Sequence, residues 1–287
     1  MRLFVFGLGY TAQHLAAQVQ NQGWEVAGTC RTADNQRALQ DAGIDAHIFD
    51  GDQPMQDAAQ ALTSATHILV STPPSERGDP VLRHHKADIV AGHTLQWLGY
   101  LSTTGVYGDH QGGWVDEDTP PTPGNDRGQR RETAEQGWLA LHDQHQAPTH
   151  IFRLPGIYGP GRSALDAIRA GRNQRIAKPS QVFCRIHVDD IVAGLMASMT
   201  QPNPGRIYNL ADDEPAPPQD VTAFAAGLLG KEPAPLIAFE DAELTPMGRS
   251  FYDECKRVRN DRMKNELGIT LAYPTYREGL RAILSQE

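Results

Sequence analysis

Gly7, Gly9 and Ala12 stand in the order G-x-G-x-x-A within Gly7-Leu8-Gly9-Tyr10-Thr11-Ala12, directly after the apolar run Leu3 to Phe6. That spacing suits phosphate binding where a strand enters a helix. Gly7 permits a tight turn, Gly9 lets backbone approach a pyrophosphate, and Ala12 keeps the helix close to the sheet. The first-turn N–H groups, from Tyr10 and Thr11 onward, would face the phosphates. Alone, such a pattern is equally a plain strand-to-helix turn; at the first strand, ahead of repeated strand–helix alternation, it points to a dinucleotide. The second apolar run ends Gly28-Thr29-Cys30-Arg31. An acidic residue there would bind a ribose 2′-hydroxyl, whereas the Arg31 guanidinium suits a 2′-phosphate through paired, charge-assisted hydrogen bonds. The expected cofactor is therefore NADP(H), favoured over NAD(H), with a solvated loop arginine as the competing reading. Asp50 and Asp52 follow the third run and suit either an adenine contact or a turn. Ser71 and Thr72 close the fourth, where the cofactor should lie.

The elements that must hold these residues follow from the alternation of short apolar runs with helix-length segments between Arg2 and Leu101. Strands are expected at Leu3 to Phe6, Glu25 to Gly28, His47 to Phe49, His67 to Ser71 and Leu98 to Leu101, with helices between them. This is the signature of stacked βαβ units, a Rossmann-type doubly wound parallel sheet in an α/β protein. Pro120, Pro121 and Pro123 interrupt it, before a long helix from about Arg127 to His145 and a strand from His150 to Leu154. The expected division is 1–155 as the NADP-binding Rossmann domain. Residues 156–287 are expected to form a smaller mixed α/β substrate-binding part, some of whose segments return to the sheet. Its later helices are expected at Val188 to Met199, Gln219 to Leu229, Asp261 to Leu267 and Tyr276 to Ser285.

The fifth strand leads into Leu101-Ser102-Thr103-Thr104-Gly105-Val106-Tyr107-Gly108, and further on stand Arg153-Leu154-Pro155-Gly156-Ile157-Tyr158-Gly159-Pro160, Ile186-His187-Val188-Asp189-Asp190 and Tyr208-Asn209-Leu210. With these motifs in order, the chain resembles the extended short-chain dehydrogenase/reductases, the NAD(P)-dependent epimerase/dehydratase family. The resemblance implies that Thr103 polarises a substrate oxygen, that Ser102 and Pro155 join the cofactor-binding set, and that Thr104 lies toward the substrate. It also implies a Tyr-x-x-x-Lys pair that moves the proton, and here the sequence departs from the pattern. No tyrosine occurs between Tyr107 and Tyr158, and no lysine between Lys86 and Lys178. Arg127 and Arg131 stand in the two catalytic positions, and arginine stays protonated and has no acceptor. Gly156 replaces a substrate-binding asparagine. The pattern is similar to the atypical subgroup that keeps the nucleotide fold while losing the active-site tetrad.

Substitute proton carriers are sought in His187, Asp189, Asp190, Tyr107 and Tyr158, although an Asp at 189 or 190 equally suits capping of the following helix. Arg127, Arg131, Arg162 and Arg185 together suit an anionic group on a substrate. His142 and His145 lack further ligands at metal spacing, so no metal site is expected. The formal net charge of -9, with both signs interspersed, excludes a basic stripe for nucleic acid or anionic membranes. Cys30, Cys184 and Cys255 form neither a disulfide framework nor a zinc motif, which fits a cytoplasmic protein. A homodimer fits the fold. Two functions are open: an NADP(H)-dependent oxidoreductase or epimerase/dehydratase-like enzyme acting on a small polar, phosphorylated or nucleotide-linked substrate, or a non-catalytic NADP(H)-binding regulatory or sensor protein.

Overall fold

The computed structural model describes residues 1–172 and 174–286. The chain opens β1 (Arg2–Phe6), α1 (Tyr10–Gln20), β2 (Glu25–Cys30), α2 (Ala33–Asp41), β3 (Asp45–Ile48), α3 (Ala58–Thr63), β4 (His67–Val70), α4 (Pro80–Val90) and β5 (Trp97–Thr103). It continues β6 (Trp114–Val115), α5 (Asp126–His145), β7 (Thr149–Leu154), β8 (Gly156–Tyr158), α6 (Ala164–Arg169), β9 (Arg175–Ala177) and β10 (Arg185–His187). It ends α7 (Val188–Thr200), β11 (Ile207–Asn209), α8 (Pro218–Leu228), β12 (Leu236–Ala238), α9 (Pro246–Ser250), β13 (Arg257–Val258), α10 (Asp261–Leu267) and α11 (Tyr276–Ser285).

A seven-stranded sheet has the order β11-β7-β5-β4-β1-β2-β3. The pairs joining β3, β2, β1, β4 and β5 are parallel, with Val5 opposite Gly28 and Leu69. Helices cover both faces of such a sheet, so its strands read as unbroken apolar runs; Leu3, Phe4, Val5 and Phe6 are all 0% exposed. The crossover helices bear clear start signals. Thr32 caps α2 by accepting from Asn35 N. Asp79 caps α4 by accepting from Val81 N and Leu82 N, with Pro80 in the first turn where its missing N–H costs nothing.

Contacts divide the chain into two compact units: Met1–Thr103, Asp126–Arg153 and Val192–Tyr208 form one, and Thr104–Asn125, Leu154–Ile191 and Asn209–Glu287 the other. Residues 104–125 thus cluster with the C-terminal unit, and Val192–Tyr208 with the sheet. Phe4, Phe6, Ile68, Tyr100, Trp138 and Ile151 centre the core of the first unit. In the second, Tyr158, Leu165, Val221, Tyr276 and Leu280 centre a core in which α6, α8 and α11 meet. No helix among the described residues is long and apolar enough to cross a membrane.

Candidate functional site

The glycine loop lies between β1 and α1 and is fastened from β2. Gly7 N donates to Thr29 Oγ1 at 2.9 Å, and Leu8 N donates to Thr29 O at 2.9 Å. Gly7 adopts φ 90°, and a Cβ there would stand 2.9 Å from the Thr72 methyl and 3.2 Å from Thr72 N, so both conformation and space demand glycine. Gly9 is different: a Cβ would meet nothing within 4 Å. The space over Gly9 is open just where α1 begins with no side-chain cap and no acidic residue in its first turn. Thr11 and Ala12 are buried, which seats α1 against the sheet. Next to this loop the Thr72 hydroxyl oxygen is buried without a hydrogen-bond partner among the described residues. Open space, a positive helix end and a waiting hydroxyl fit a bound pyrophosphate.

Arg31 follows β2 directly, is exposed, and makes no ion pair among the described residues. Asp50 closes a turn by accepting from Asp52 N at 2.8 Å, and the Asp52 carboxylate pairs with Arg77. Ser71 N continues the sheet by donating to Phe6 O at 2.8 Å.

At the end of β5, Ser102 and Thr103 diverge. Ser102 is buried and its hydroxyl donates to Glu135 of α5, whose carboxylate also receives Arg153 Nη2 at 2.7 Å and Nε at 3.1 Å. Thr103, half-buried, ends the strand. Arg131, in the lysine position of the Tyr-x-x-x-Lys pattern, is committed to the strand end: its Nη1 donates to Leu101 O at 2.7 Å and to Tyr100 OH at 3.1 Å. Arg127 is exposed in the first turn of α5.

In the C-terminal unit, Thr104 is buried at the head of a short 3-10 turn, and Pro155 joins β7 to β8. The tyrosine candidates are occupied: Tyr107 OH donates to Asn209 Oδ1 at 2.8 Å, and Tyr158 OH donates to Thr275 O at 3.4 Å while burial pushes its pKa up. Both features disfavour phenolate. His187 is buried, with its ring edge-on to Tyr158, and its Nδ1 accepts from Asp189 N at 3.2 Å. That bond satisfies a first-turn N–H of α7, the capping duty expected of an aspartate. Asp190 does not cap α7; it accepts from Ala272 N at 2.8 Å and Tyr273 N at 3.1 Å, tethering the segment before α11.

Beside Tyr158 a cavity of about 440 Å³ opens between α6, α8 and α11, lined by Arg162 and Arg185 among others. Arg127 and Arg131 do not line it. It also brings in Arg172, which sequence reasoning missed because a lone arginine after a helix carries no signal of its own. Missed likewise were Thr29, Glu135 and Asp212. Asp212 is buried, its carboxyl pushed up to about 8 by burial, and Oδ2 has no partner among the described residues. The described residues include no group of acidic, cysteine or histidine side chains able to hold a metal ion.

The model of the NAD dependent epimerase/dehydratase family matches residues 88–211. A conserved Silicibacter pomeroyi protein of unknown function is 50% identical over 99% of this chain and 98% of its own, with a TM-score of 0.91. A Methylobacillus flagellatus protein provisionally described as an NAD-dependent epimerase/dehydratase is 28% identical over 99% of this chain and 98% of its own, TM-score 0.75. The dTDP-glucose 4,6-dehydratase of Bacillus anthracis, solved in complex with NAD, shares the fold at 17% identity over 99% of this chain and 96% of its own, TM-score 0.78. No curated protein matches the chain.

Proposed function

We propose that this chain, whose residues 88–211 match the NAD dependent epimerase/dehydratase family model, is a member of that family, binds NADP(H) and acts as an oxidoreductase or epimerase/dehydratase-like enzyme on a small polar, phosphorylated or nucleotide-linked substrate. The observation that carries this reading is the open, uncapped start of α1 behind Gly9, with Arg31, at the end of the neighbouring strand β2, making no ion pair among the described residues. The first-turn N–H groups of α1 bind the pyrophosphate, and the Thr72 hydroxyl finds there the partner it lacks among the described residues. Arg31 binds the 2′-phosphate, the contact that separates NADP from the NAD held by the Bacillus anthracis dehydratase. NADP(H) held there would supply the hydride donor or acceptor for a substrate carbon. Thr103, at the end of β5, donates its hydroxyl to the substrate oxygen. The dTDP-sugar named for the same neighbour supports a nucleotide-linked substrate class.

The test is titration of the purified protein with NADPH and NADH, repeated with Arg31→Ala. NADPH should bind more tightly, and the variant should lose about 10–100-fold for NADPH, the worth of a charge-assisted contact, with NADH affinity unchanged. Equal affinities, or none, would remove the reading.

A second reading, a non-catalytic NADP(H)-binding regulator, is favoured by one observation: Arg131, in the family's lysine position, is committed to Leu101 O and Tyr100 OH. Thr103→Ala separates the two. Loss of turnover at unchanged NADPH affinity supports the enzyme; full retention of function supports the regulator.

A further inference from the structure

The arginines lining the C-terminal cavity differ in what the fold leaves them to do. Arg185, on β10, is held rigidly: its Nη1 donates to Phe183 O at 2.8 Å and to Ala216 O at 3.2 Å. Its Nε and Nη2 make no bond with the described residues and remain available to a ligand. Arg172 follows α6, is exposed, and makes no ion pair among the described residues. Arg162 stands in the loop before α6. One carboxylate, that of Asp166, also lines the cavity, but its Oδ2 is spent on Ser163, whose backbone N lies 2.8 Å away in the capping box of α6. Burial pushes the carboxyl of Asp212, the acidic group whose field acts most strongly on Arg185, up to about 8, which weakens its competition with an anionic ligand for Arg185.

The remaining wall is apolar and aromatic, with Val221 and Leu280 beside the ring of Tyr276. A volume of about 440 Å³ is that of a small-molecule site, large enough for a ring and its charged substituent. Guanidinium groups gathered around a concave apolar wall recognise a phosphate monoester through forked hydrogen bonds, while the wall takes the organic part.

We infer that the cavity between α6, α8 and α11 is a binding site for a phosphate monoester with an aromatic or apolar body, its phosphate held by Arg162, Arg172 and Arg185. All of its walls belong to the C-terminal unit, whereas the glycine loop and Arg31 belong to the other. The inference therefore stands independently of the dinucleotide reading.

Calorimetric titration of the full chain with phenyl phosphate tests it, with benzyl alcohol as the uncharged counterpart and with NADPH both absent and saturating. Phenyl phosphate should bind and benzyl alcohol should not. Affinity should fall about ten-fold or more in Arg172→Ala and in Arg185→Met, the loss of a charge-assisted bond, while NADPH affinity stays unchanged. Arg172 is exposed, so Arg172→Ala folds normally and decides the matter alone if Arg185→Met melts early. Absence of phenyl phosphate binding, equal binding of benzyl alcohol, displacement by NADPH, or indifference to Arg172→Ala would each overturn the inference.

Discussion

Two glycines two positions apart in the same loop serve unlike purposes, and substitution separates them. Gly9 has an ordinary backbone (φ -88°) and empty space where a side chain would stand. Gly9→Val should therefore fold with a melting temperature close to wild type yet lose NADPH binding by two orders of magnitude or about that, because the valine occupies the phosphate position. Gly7 combines φ 90° with the 2.9 Å approach to Thr72, so Gly7→Ala should destabilise the fold by about 1–3 kcal/mol as well as weaken binding. Paired thermal melts and fluorescence titrations of the two variants check this. Equal melting temperatures would mean that the loop is not the rigid cradle described above. The absence of any tyrosine between Tyr107 and Tyr158, and of any lysine between Lys86 and Lys178, is a matter of residue identity too, and no conformation of Arg127 or Arg131 restores a phenolate.

The ends of β5 and β7 are joined to α5 by a buried set of groups in which Glu135 receives Ser102 and Arg153. Both charged side chains are 3% exposed, and their pairing is bidentate, the geometry in which a buried ion pair offsets its desolvation. Removing one partner is far worse than removing both. Glu135→Leu should cost about 3–5 kcal/mol in urea unfolding, and Glu135→Leu with Arg153→Met should recover a large part of that loss. A double variant no better than the single one would show that the pair contributes beyond its mutual neutralisation. This clamp sets where Ser102 points and hence where Thr103, the next residue, leaves the strand, so the double variant should also be slower in any turnover that depends on Thr103.

Acid and base act on different parts of the molecule. In the sheet-bearing unit, burial lowers the pKa of His67 and of His150 from 6.5 to about 4. His150 donates from Nδ1 to Leu98 O and accepts at Nε2 from Asn203 N, so a second ring proton has no place to go. The unfolded chain binds these protons first. Stability from both histidines is thus complete above pH 6.5 and declines as pH falls from about 6.5 towards 4. Asp212 works in the opposite sense: its folded pKa, raised from 3.8 to about 8, means that the native state holds a proton the unfolded chain has released. Its contribution falls as pH rises from about 4 to 8. Asp212→Asn, which mimics the protonated form, should gain in melting temperature relative to wild type as pH rises from 5 to 8.5. A constant difference across that range would refute the assignment.

The N-terminal sheet was legible in the sequence because its signals are local. Unbroken apolar runs mark strands buried on both faces, and G-x-G-x-x-A fixes a turn with backbone chemistry alone. Helices at Asp126–His145, Val188–Thr200, Pro218–Leu228 and Tyr276–Ser285 lie within two residues of where periodicity puts them. The strands β8, β9, β10 and β12 are three residues each, too short for any period to show, and they exist because distant partners pair with them, as Gly156–Tyr158 does with Arg185–His187. Charged residues followed the same division. Whether an arginine lies in solvent, clamps a strand end as Arg131 does, or lines a cavity as Arg185 does depends on contacts made tens of residues away. Likewise Asp190 meets Ala272 across 82 positions and Glu135 meets Arg153 across 18. A side chain's charge and hydrogen-bonding capacity are written in its identity, but its burial and its partners are properties of the folded whole, and those decide which of the arginines share a site.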